Sequence, residues 1–163
     1  MRKEIEMATY NVYRNDEKIA TGLTEKSYTD TNLTPNTEYT YRVSAENSAG
    51  ESELSESITV KTLPVSVTGV SVSPQTSTAE AGTAGTRQLT VTVEPENATN
   101  KNVTYSITPD AEGLSVSQSG LITWTEETPA NVYVTEVKTE DGEHTATHSL
   151  TLTEPEEPGE GDA

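Results

Sequence analysis

The sequence predicts an all-β protein made of two small domains in tandem. Thr and Ser are abundant, Val is the commonest branched aliphatic residue, and no long apolar pattern has the 3.6-residue period of a helix. Short runs of alternating apolar and polar residues are instead separated by Gly, Pro, Asn and Asp. With 31% hydrophobic residues and a mean hydropathy of −0.63, any core is thin, which favours two small β-sandwiches over one large domain.

The first 63 residues contain five predicted strands. In the longest of them, Tyr39, Tyr41 and Val43 alternate onto one face, as expected for a strand with one buried side. In the first, Tyr10 and Val12 share a face. The predicted strands cover residues 10–14, 18–20, 26–30, 38–46 and 57–61.

The turn before the fourth strand carries a recognisable pattern. The stretch Leu33-Thr34-Pro35-Asn36-Thr37-Glu38-Tyr39 leads directly into the alternating strand and resembles the E–F corner of fibronectin type III domains. The resemblance assigns the five strands to C, C′, E, F and G of that fold. It implies structural roles for Leu33, Pro35 and Tyr39, with the Tyr39 hydroxyl bonded back to the turn as a tyrosine corner.

Strands A and B of the fibronectin fold have no counterpart before Tyr10. A sheet of C, C′, F and G would therefore have one face covered by strand E alone, and the edge of E would be unpaired. Either this reduced sandwich is stable as it stands, or something else covers the face. The neighbouring domain, another copy of the chain, or a strand donated by a larger assembly could do so.

A second domain is predicted over residues 64–153. Pro64 restricts the backbone conformation of the connector between the two domains. Alternating apolar residues mark its strands, and turns at Ser119-Gly120 and Asp141-Gly142 join strands into hairpins. The series resembles the bacterial immunoglobulin-like domains of group two, which occur in phage virion proteins and in bacterial surface adhesins. The matching stretches include Val67-Thr68-Gly69-Val70-Ser71-Val72-Ser73-Pro74, Gln88-Leu89-Thr90-Val91-Thr92-Val93 and Ser119-Gly120-Leu121-Ile122-Thr123.

Residues 154–163 combine five acidic residues with Pro and Gly and have no apolar anchor. Charge repulsion and the lack of a buried side chain predict a disordered acidic tail. The tail would serve solubility or, alternatively, docking to a basic partner.

The net charge of −17 limits the classes of partner, because nucleic-acid affinity comes mainly from Lys and Arg at phosphates. Nucleic acid and anionic membranes are therefore not expected partners. Cys is absent, so no disulfide or thiolate metal site is possible. The first seven residues lack the apolar region of a signal peptide, and no run of about 18 apolar residues exists, so we expect neither secretion nor membrane insertion.

The sequence offers little material for catalysis. His144 and His148 are the only histidines, and both lie on one predicted hairpin. Two residues that are four positions apart on a strand are too far from each other to bind the same metal ion. His148 shares the parity of inward residues, whereas His144 is expected beside the turn and exposed. No phosphate-binding glycine loop or dinucleotide fingerprint occurs. We therefore predict no enzyme activity, no cofactor and no metal.

Two aromatic residues are candidate ligand contacts. An exposed indole at Trp124 would suit the apolar face of a sugar ring, but Trp124 has the same parity as Ile122 and packing in the core is the competing interpretation. Tyr13 lies on the face opposite Tyr10 and Val12 and is the second candidate.

The two resemblances imply a non-enzymatic structural protein of a phage virion, a head-decoration or fibre-like subunit made in the host cytoplasm. The fibronectin-like unit would dock on the major capsid or tail protein of the particle, or on other copies of the chain. The immunoglobulin-like unit would be displayed for weak attachment to host-surface carbohydrate. The alternative is a spacer or adhesion module of a bacterial surface or extracellular carbohydrate-active protein.

Overall fold

The computed structural model describes residues 8–156, and the chain divides into two compact units between Pro64 and Val65. The all-β prediction is confirmed, since the described residues form fourteen strands and no helix. Residues 154–156 have no regular secondary structure, and the rest of the predicted acidic tail lies outside the described residues.

The first unit is a single antiparallel sheet within the described residues. The strands are β1 (Thr9–Arg14), β2 (Glu17–Leu23), β3 (Glu38–Asn47), β4 (Gly50–Glu51) and β5 (Ile58–Lys61). The order is β2-β1-β3-β4, and β5 pairs with the first half of β3. A two-residue turn joins β1 to β2, where Asn15 and Asp16 have φ of 52° and 66°, the conformation such tight hairpins require.

The register of the first sheet separates an apolar face from a polar one. Val12 pairs with Val43 and Tyr10 with Ala45, so the apolar residues of β1 and β3 project on the same side. The intervening residues, among them Asn11, project on the other side. The two faces of this sheet therefore have different chemistry.

The predicted strand over residues 26–30 is wrong, because residues 27–30 have no regular secondary structure. A strand needs a neighbour to pair with, and no other described strand lies beside this segment. The segment instead approaches the apolar face of the sheet, where Asp30 contacts side chains of β1 and β3. The described first unit is thus one sheet with an irregular segment on one face.

The edge of β3 between β4 and β5 is completed by serine side chains. The backbone N–H groups of Ala45 and Val43 donate to the hydroxyls of Ser52 and Ser55, at 3.0 and 3.1 Å. The backbone N–H groups of the same serines donate to the carbonyls of Ala45 and Val43, both at 2.8 Å. The segment after β4 therefore satisfies the backbone N–H and C=O groups at this edge of β3 without forming a regular ladder.

The second unit contains three short sheets. A four-stranded sheet has the order β10-β13-β14-β7, a three-stranded sheet the order β11-β12-β8, and β6 pairs with β9. The pairing of β7 with β14 is parallel, and the others are antiparallel. The strands are β6 (Gly69–Ser73), β7 (Thr76–Glu80), β8 (Gly85–Gln88), β9 (Thr90–Glu94), β10 (Val103–Thr108), β11 (Ser115–Val116), β12 (Leu121–Trp124), β13 (Asn131–Thr139) and β14 (Thr145–Thr153).

The sheets of the second unit enclose a continuous hydrophobic core. Ile122, Val137 and Leu150 are fully buried, because alternate residues of β12, β13 and β14 point inward. Trp124 and Tyr133 are the large aromatic residues in this core. The second unit therefore buries most of its apolar residues within itself.

Candidate docking site

The apolar face of the first sheet is partly uncovered. We call the set formed by Tyr10, Val12, Leu23, Tyr28, Val43, Ile58 and Val60 the open face. The exposed fractions of Ile58, Val60 and Val43 are 67%, 48% and 45%. Val12, at 7%, is the one apolar residue that the described part of the first unit buries. Contiguous exposed apolar residues on a small domain are typical of an interaction surface.

A groove of about 400 Å³ crosses the open face. Tyr10, Val12 and Val43 of the sheet line it on one side, and Leu23 and Tyr28 line it on another. The groove therefore runs between the sheet and the irregular segment that follows β2. Its lining is mostly apolar, with Glu25 and Lys26 at the rim.

An ion pair attaches the end of the irregular segment to the sheet. Arg14 donates from Nη1 to both carboxylate oxygens of Asp30 at 3.2 and 3.1 Å, and the Tyr41 hydroxyl donates to Asp30 at 2.7 Å. The hydrogen bond from Tyr41, together with the charge of Arg14, holds the pKa of the Asp30 carboxyl below its usual range. Burial and the neighbouring Asp30 raise the pKa of Tyr41 to about 12.

The backbone of residues 27–29 makes no hydrogen bond to any described residue. Ser27, Tyr28 and Thr29 are all exposed. Their backbone N–H and C=O groups are therefore available to a partner, and Ser27 and Tyr28 also line the groove.

The opposite, polar face carries a dense hydrogen-bond network around Asn11, which is fully buried. Its Nδ2 donates to Glu51 at 2.8 Å and to Glu46 at 3.1 Å, and its Oδ1 accepts from Thr21 at 2.7 Å. Ser44, also buried, donates to the same carboxylate of Glu51. The side-chain polar groups of Asn11 and Ser44 are thus satisfied within the unit, whereas apolar side chains of the open face reach solvent.

The residues predicted for structural roles cluster at the turn before β3. The Tyr39 hydroxyl accepts a hydrogen bond of 2.9 Å from the backbone N–H of Thr34, which is the contact of a tyrosine corner. The carbonyl of Pro35 accepts from the Thr37 hydroxyl at 2.9 Å. Leu33 is half-buried, and Pro35 is exposed.

The structure contradicts a sugar-stacking role for Trp124. The indole is 4% exposed and belongs to the core of the second unit, with Gly85 directly against its ring. A buried ring offers no face to a sugar, so the competing interpretation of a core residue is correct. Sequence parity with Ile122, which is fully buried, was the signal for this placement.

Tyr13, the other predicted ligand contact, is half-buried on the polar face. Its hydroxyl donates to Glu51 at 2.6 Å, and the Lys18 ammonium lies 5.3 Å from its ring centroid. The hydroxyl and one ring face of Tyr13 are therefore already engaged within the unit.

Both histidines have structural hydrogen bonds. His148 is fully buried, with Nδ1 2.7 Å from the carbonyl of Pro74 and Nε2 3.0 Å from the hydroxyl of Ser77. His144 is half-buried rather than exposed as predicted, because its Nε2 lies 3.2 Å from the carbonyl of Val67.

Over residues 8–156, no three His, Asp or Glu side chains converge on a metal-sized position. Within that same range, no helix has the length and apolar character to span a membrane.

Sequence reasoning missed two polar clusters that the first unit builds. The signal for the first was Arg14, which has the parity of Tyr10 and Val12 and so places a charge on the apolar face, where it needs a partner such as Asp30. The signal for the second was Asn11, a polar residue between Tyr10 and Val12 within a predicted strand. The acidic partners could not be found from the sequence, because Asp30 lies 16 positions from Arg14 and Glu51 lies 40 positions from Asn11.

A wider cleft of about 940 Å³ lies in the second unit between β9 and β10. Its apolar floor includes Leu89, which is only 3% exposed and already packed in the core. We place the docking site on the open face instead, because its apolar side chains reach solvent.

Two family models match the chain. The fibronectin type III domain matches residues 2–61, and the bacterial Ig-like domain (group 2) matches residues 66–147. These ranges correspond to the two compact units.

Two phage proteins are similar to parts of this chain. The tail tube protein gp17.1* of Bacillus phage SPP1 is 45% identical over 62 residues, which are 37% of this chain and 23% of that protein. The Ig-like virion protein of Serratia phage KSP90 is 36% identical over 103 residues, which are 63% of this chain and 36% of that protein. The chain therefore spans well under half the length of both relatives.

Among solved structures, Drosophila N-cadherin EC1-4 matches 93% of this chain and 42% of its own, with a TM-score of 0.47 and 12% identity. The titin domains Z1Z2 match 91% of this chain and 83% of their own, with a TM-score of 0.44 and 17% identity. Both likenesses concern the fold alone. Because the group 2 model matches half of the residues, the chain belongs to the family of bacterial Ig-like domain (group 2) proteins, with a fibronectin type III unit ahead of that domain.

Proposed function

We propose that this chain is a non-enzymatic structural protein of a phage virion, which docks through the open face of its first unit and displays its second unit. The single observation that carries the docking role is the exposure of Ile58, Val60 and Val43 on one face of a sheet. The phage relatives, a tail tube protein and an Ig-like virion protein, support the virion as the place of docking. The partner in this proposal is the major capsid or tail protein of the same particle.

The contrast between the two units supports this division of roles. The second unit buries most of its apolar residues, including Trp124, Tyr133 and Leu150, and exposes only Val132 and Val134 among its described large hydrophobic residues. The first unit leaves apolar surface exposed to water. A partner that covered this surface would gain about 25 cal/mol of free energy for each Å² buried. We therefore assign docking to the first unit, which exposes more apolar side chains, and display to the second.

The hydrogen bonds of the buried histidine support a non-enzymatic role. Both ring nitrogens of His148 are engaged, by the carbonyl of Pro74 and the hydroxyl of Ser77, and the ring is inaccessible to solvent. A general base must reach the proton that it removes from a substrate. His148 is therefore a structural residue of β14.

The proposal includes weak attachment of the virion protein to carbohydrate on the host surface. Trp124 is unavailable for it, and Tyr133 is 1% exposed. Tyr13, half-buried on the polar face of the first unit, remains a candidate contact. We accordingly assign display to the second unit and no sugar-binding residue within it.

The docking role is tested with the double variant Val43→Asp and Ile58→Asp in the phage that encodes the chain. Two charges on the open face would be desolvated by docking, so we expect at least a tenfold loss of the chain from purified particles, measured by quantitative mass spectrometry. The matched control is Val132→Asp with Val134→Asp, which charges two exposed valines of the second unit. Wild-type levels of the double variant in particles would contradict docking through this face. Recovery of the wild-type chain in the cell envelope and not in particles would instead favour a bacterial surface protein.

A further inference from the structure

We propose that the open face accepts a β-strand donated by a partner protein, which lies in the groove over Tyr10, Val12 and Val43 and pairs with the backbone of residues 27–29. This inference rests on the proposed docking function and specifies the chemistry of the partner. The donated strand carries aliphatic side chains at alternate positions and has basic residues at its ends.

The backbone of the irregular segment is the first argument. Ser27, Tyr28 and Thr29 are exposed residues whose backbone N–H and C=O groups have no described partner, and Ser27 and Tyr28 line the apolar groove. A strand that enters the groove would otherwise leave its own backbone groups unsatisfied on that side. Pairing with residues 27–29 satisfies both sets of groups at once, as in other cases of strand addition.

The groove itself is the second argument. A strand presents every second side chain to one face, and the groove offers apolar contacts from Tyr10, Val12 and Val43 below and from Tyr28 beside it. Aliphatic side chains at alternate positions would therefore face the groove, while the intervening ones face solvent. Val43 and Tyr28, at 45% and 42% exposed, are the residues whose burial would change most.

The ion pair at the end of the segment is the third argument. Arg14 and Tyr41 already hold Asp30 against the sheet, so the wall of the groove is fixed at that end before a partner arrives. A preformed site loses less conformational entropy on binding than a free loop. The segment therefore has one anchored end and an unpaired backbone next to it.

Charge argues for a partner other than a second copy. The chain has a net charge of −17, so two copies repel each other, most strongly at low ionic strength. A strand with Lys or Arg at its ends is attracted instead. These considerations favour a basic strand of another protein over self-association.

The probe is an eight-residue peptide in which three valines alternate with threonines between terminal lysines, labelled with a fluorophore and titrated with the full chain. A control peptide of the same composition places the three valines in a row. We expect the alternating peptide to bind at least tenfold more tightly than the control, and amide exchange at residues 27–29 to slow when it binds. Two further peptides carry N-methyl groups on alternate residues in either register, and one of the two should bind at least tenfold more weakly than the unmethylated peptide.

Two protein variants complete the test. Val43→Asp should weaken binding of the alternating peptide at least tenfold, whereas Val132→Asp in the second unit should not change it. Equal binding of both peptides, binding unaffected by Val43→Asp, or N-methyl peptides that all bind equally would overturn the proposal. A concentration-dependent dimer in sedimentation velocity that Val43→Asp abolishes would overturn it in favour of a second copy.

The outcome separates this inference from the docking function. If the peptide fails to bind but the charged double variant is lost from particles, docking stands and the strand mode is wrong. If the peptide binds as expected but the wild-type chain is absent from particles, the strand site stands and the virion role is wrong.

Discussion

The Tyr13 hydroxyl donates a hydrogen bond of 2.6 Å to the Glu51 carboxylate, which also accepts from Lys18, Asn11 and Ser44. Four donors from β1, β2 and β3 thus converge on one acidic residue of the short strand β4. Hydrogen bonds to the ionised form, that from Ser44 above all, lower the pKa of Glu51 to about 2. The polar face is therefore held together by a carboxylate that must stay ionised.

We expect the stability of the first unit to fall as the pH drops from about 4.5 to about 2. The folded-state pKa of Glu51 is depressed from 4.5, so the ionised group stabilises the fold above pH 4.5, and that contribution is lost as the carboxylate is protonated. Urea unfolding at pH 7 and pH 3 measures the change. Glu51→Gln should show a smaller loss than wild type, whereas Glu53→Gln, outside the network, should match wild type. An equal loss in Glu51→Gln and wild type would be inconsistent with this role.

Tyr39→Phe should destabilise the first unit by about 1 kcal/mol, because the substitution removes the acceptor for the Thr34 N–H. The aromatic ring and its contact with Arg14, 5.6 Å from the ring centroid, are kept. Tyr28→Phe is the matched control, since Tyr28 is 42% exposed on the open face. Chemical denaturation of the three proteins gives the comparison, and identical midpoints for Tyr39→Phe and wild type would count against the tyrosine corner as a stabilising contact.

Trp124→Ala should destabilise the second unit by about 3–5 kcal/mol, the usual cost of removing a large aromatic side chain from a core. The exposed substitution Val132→Ala should have a much smaller effect. Thermal unfolding of both variants, followed by circular dichroism, measures the difference. Tryptophan fluorescence gives a second measurement for Val132→Ala, which keeps Trp124. A Trp124→Ala protein as stable as wild type, with altered sugar binding, would restore the ligand-contact interpretation.

Sequence patterns predicted the sheet of the first unit well where a strand could be recognised by its own residues. Alternation over Tyr39, Tyr41 and Val43 depends only on neighbours in sequence, and the structure places these residues in β3. The strand predicted over 26–30 failed because strand formation also depends on a partner, and local alternation cannot report whether a partner exists. Glu51 was missed for a related reason, since its four donors come from three other strands.

Gly85→Ala should destabilise the second unit by about 1–3 kcal/mol. A methyl group added at Gly85 would overlap the six-membered ring of Trp124, which is buried and has no room to move aside. Gly69→Ala is the matched control, because a methyl group there meets no atom within 4 Å. Denaturation midpoints of both variants decide the matter, and a Gly85→Ala protein no less stable than Gly69→Ala would show that the core around Trp124 can adjust.

The two units should unfold in separate transitions, with the first unit at the lower temperature. Residues 8–64 bury one apolar side chain, Val12, whereas twelve are buried in the described part of the second unit, and stability follows the apolar area removed from water. Differential scanning calorimetry of the full chain should resolve both transitions. Binding of the alternating peptide should raise only the lower transition, because the peptide stabilises the unit that binds it. A single transition for the full chain would mean that the open face costs the first unit little stability.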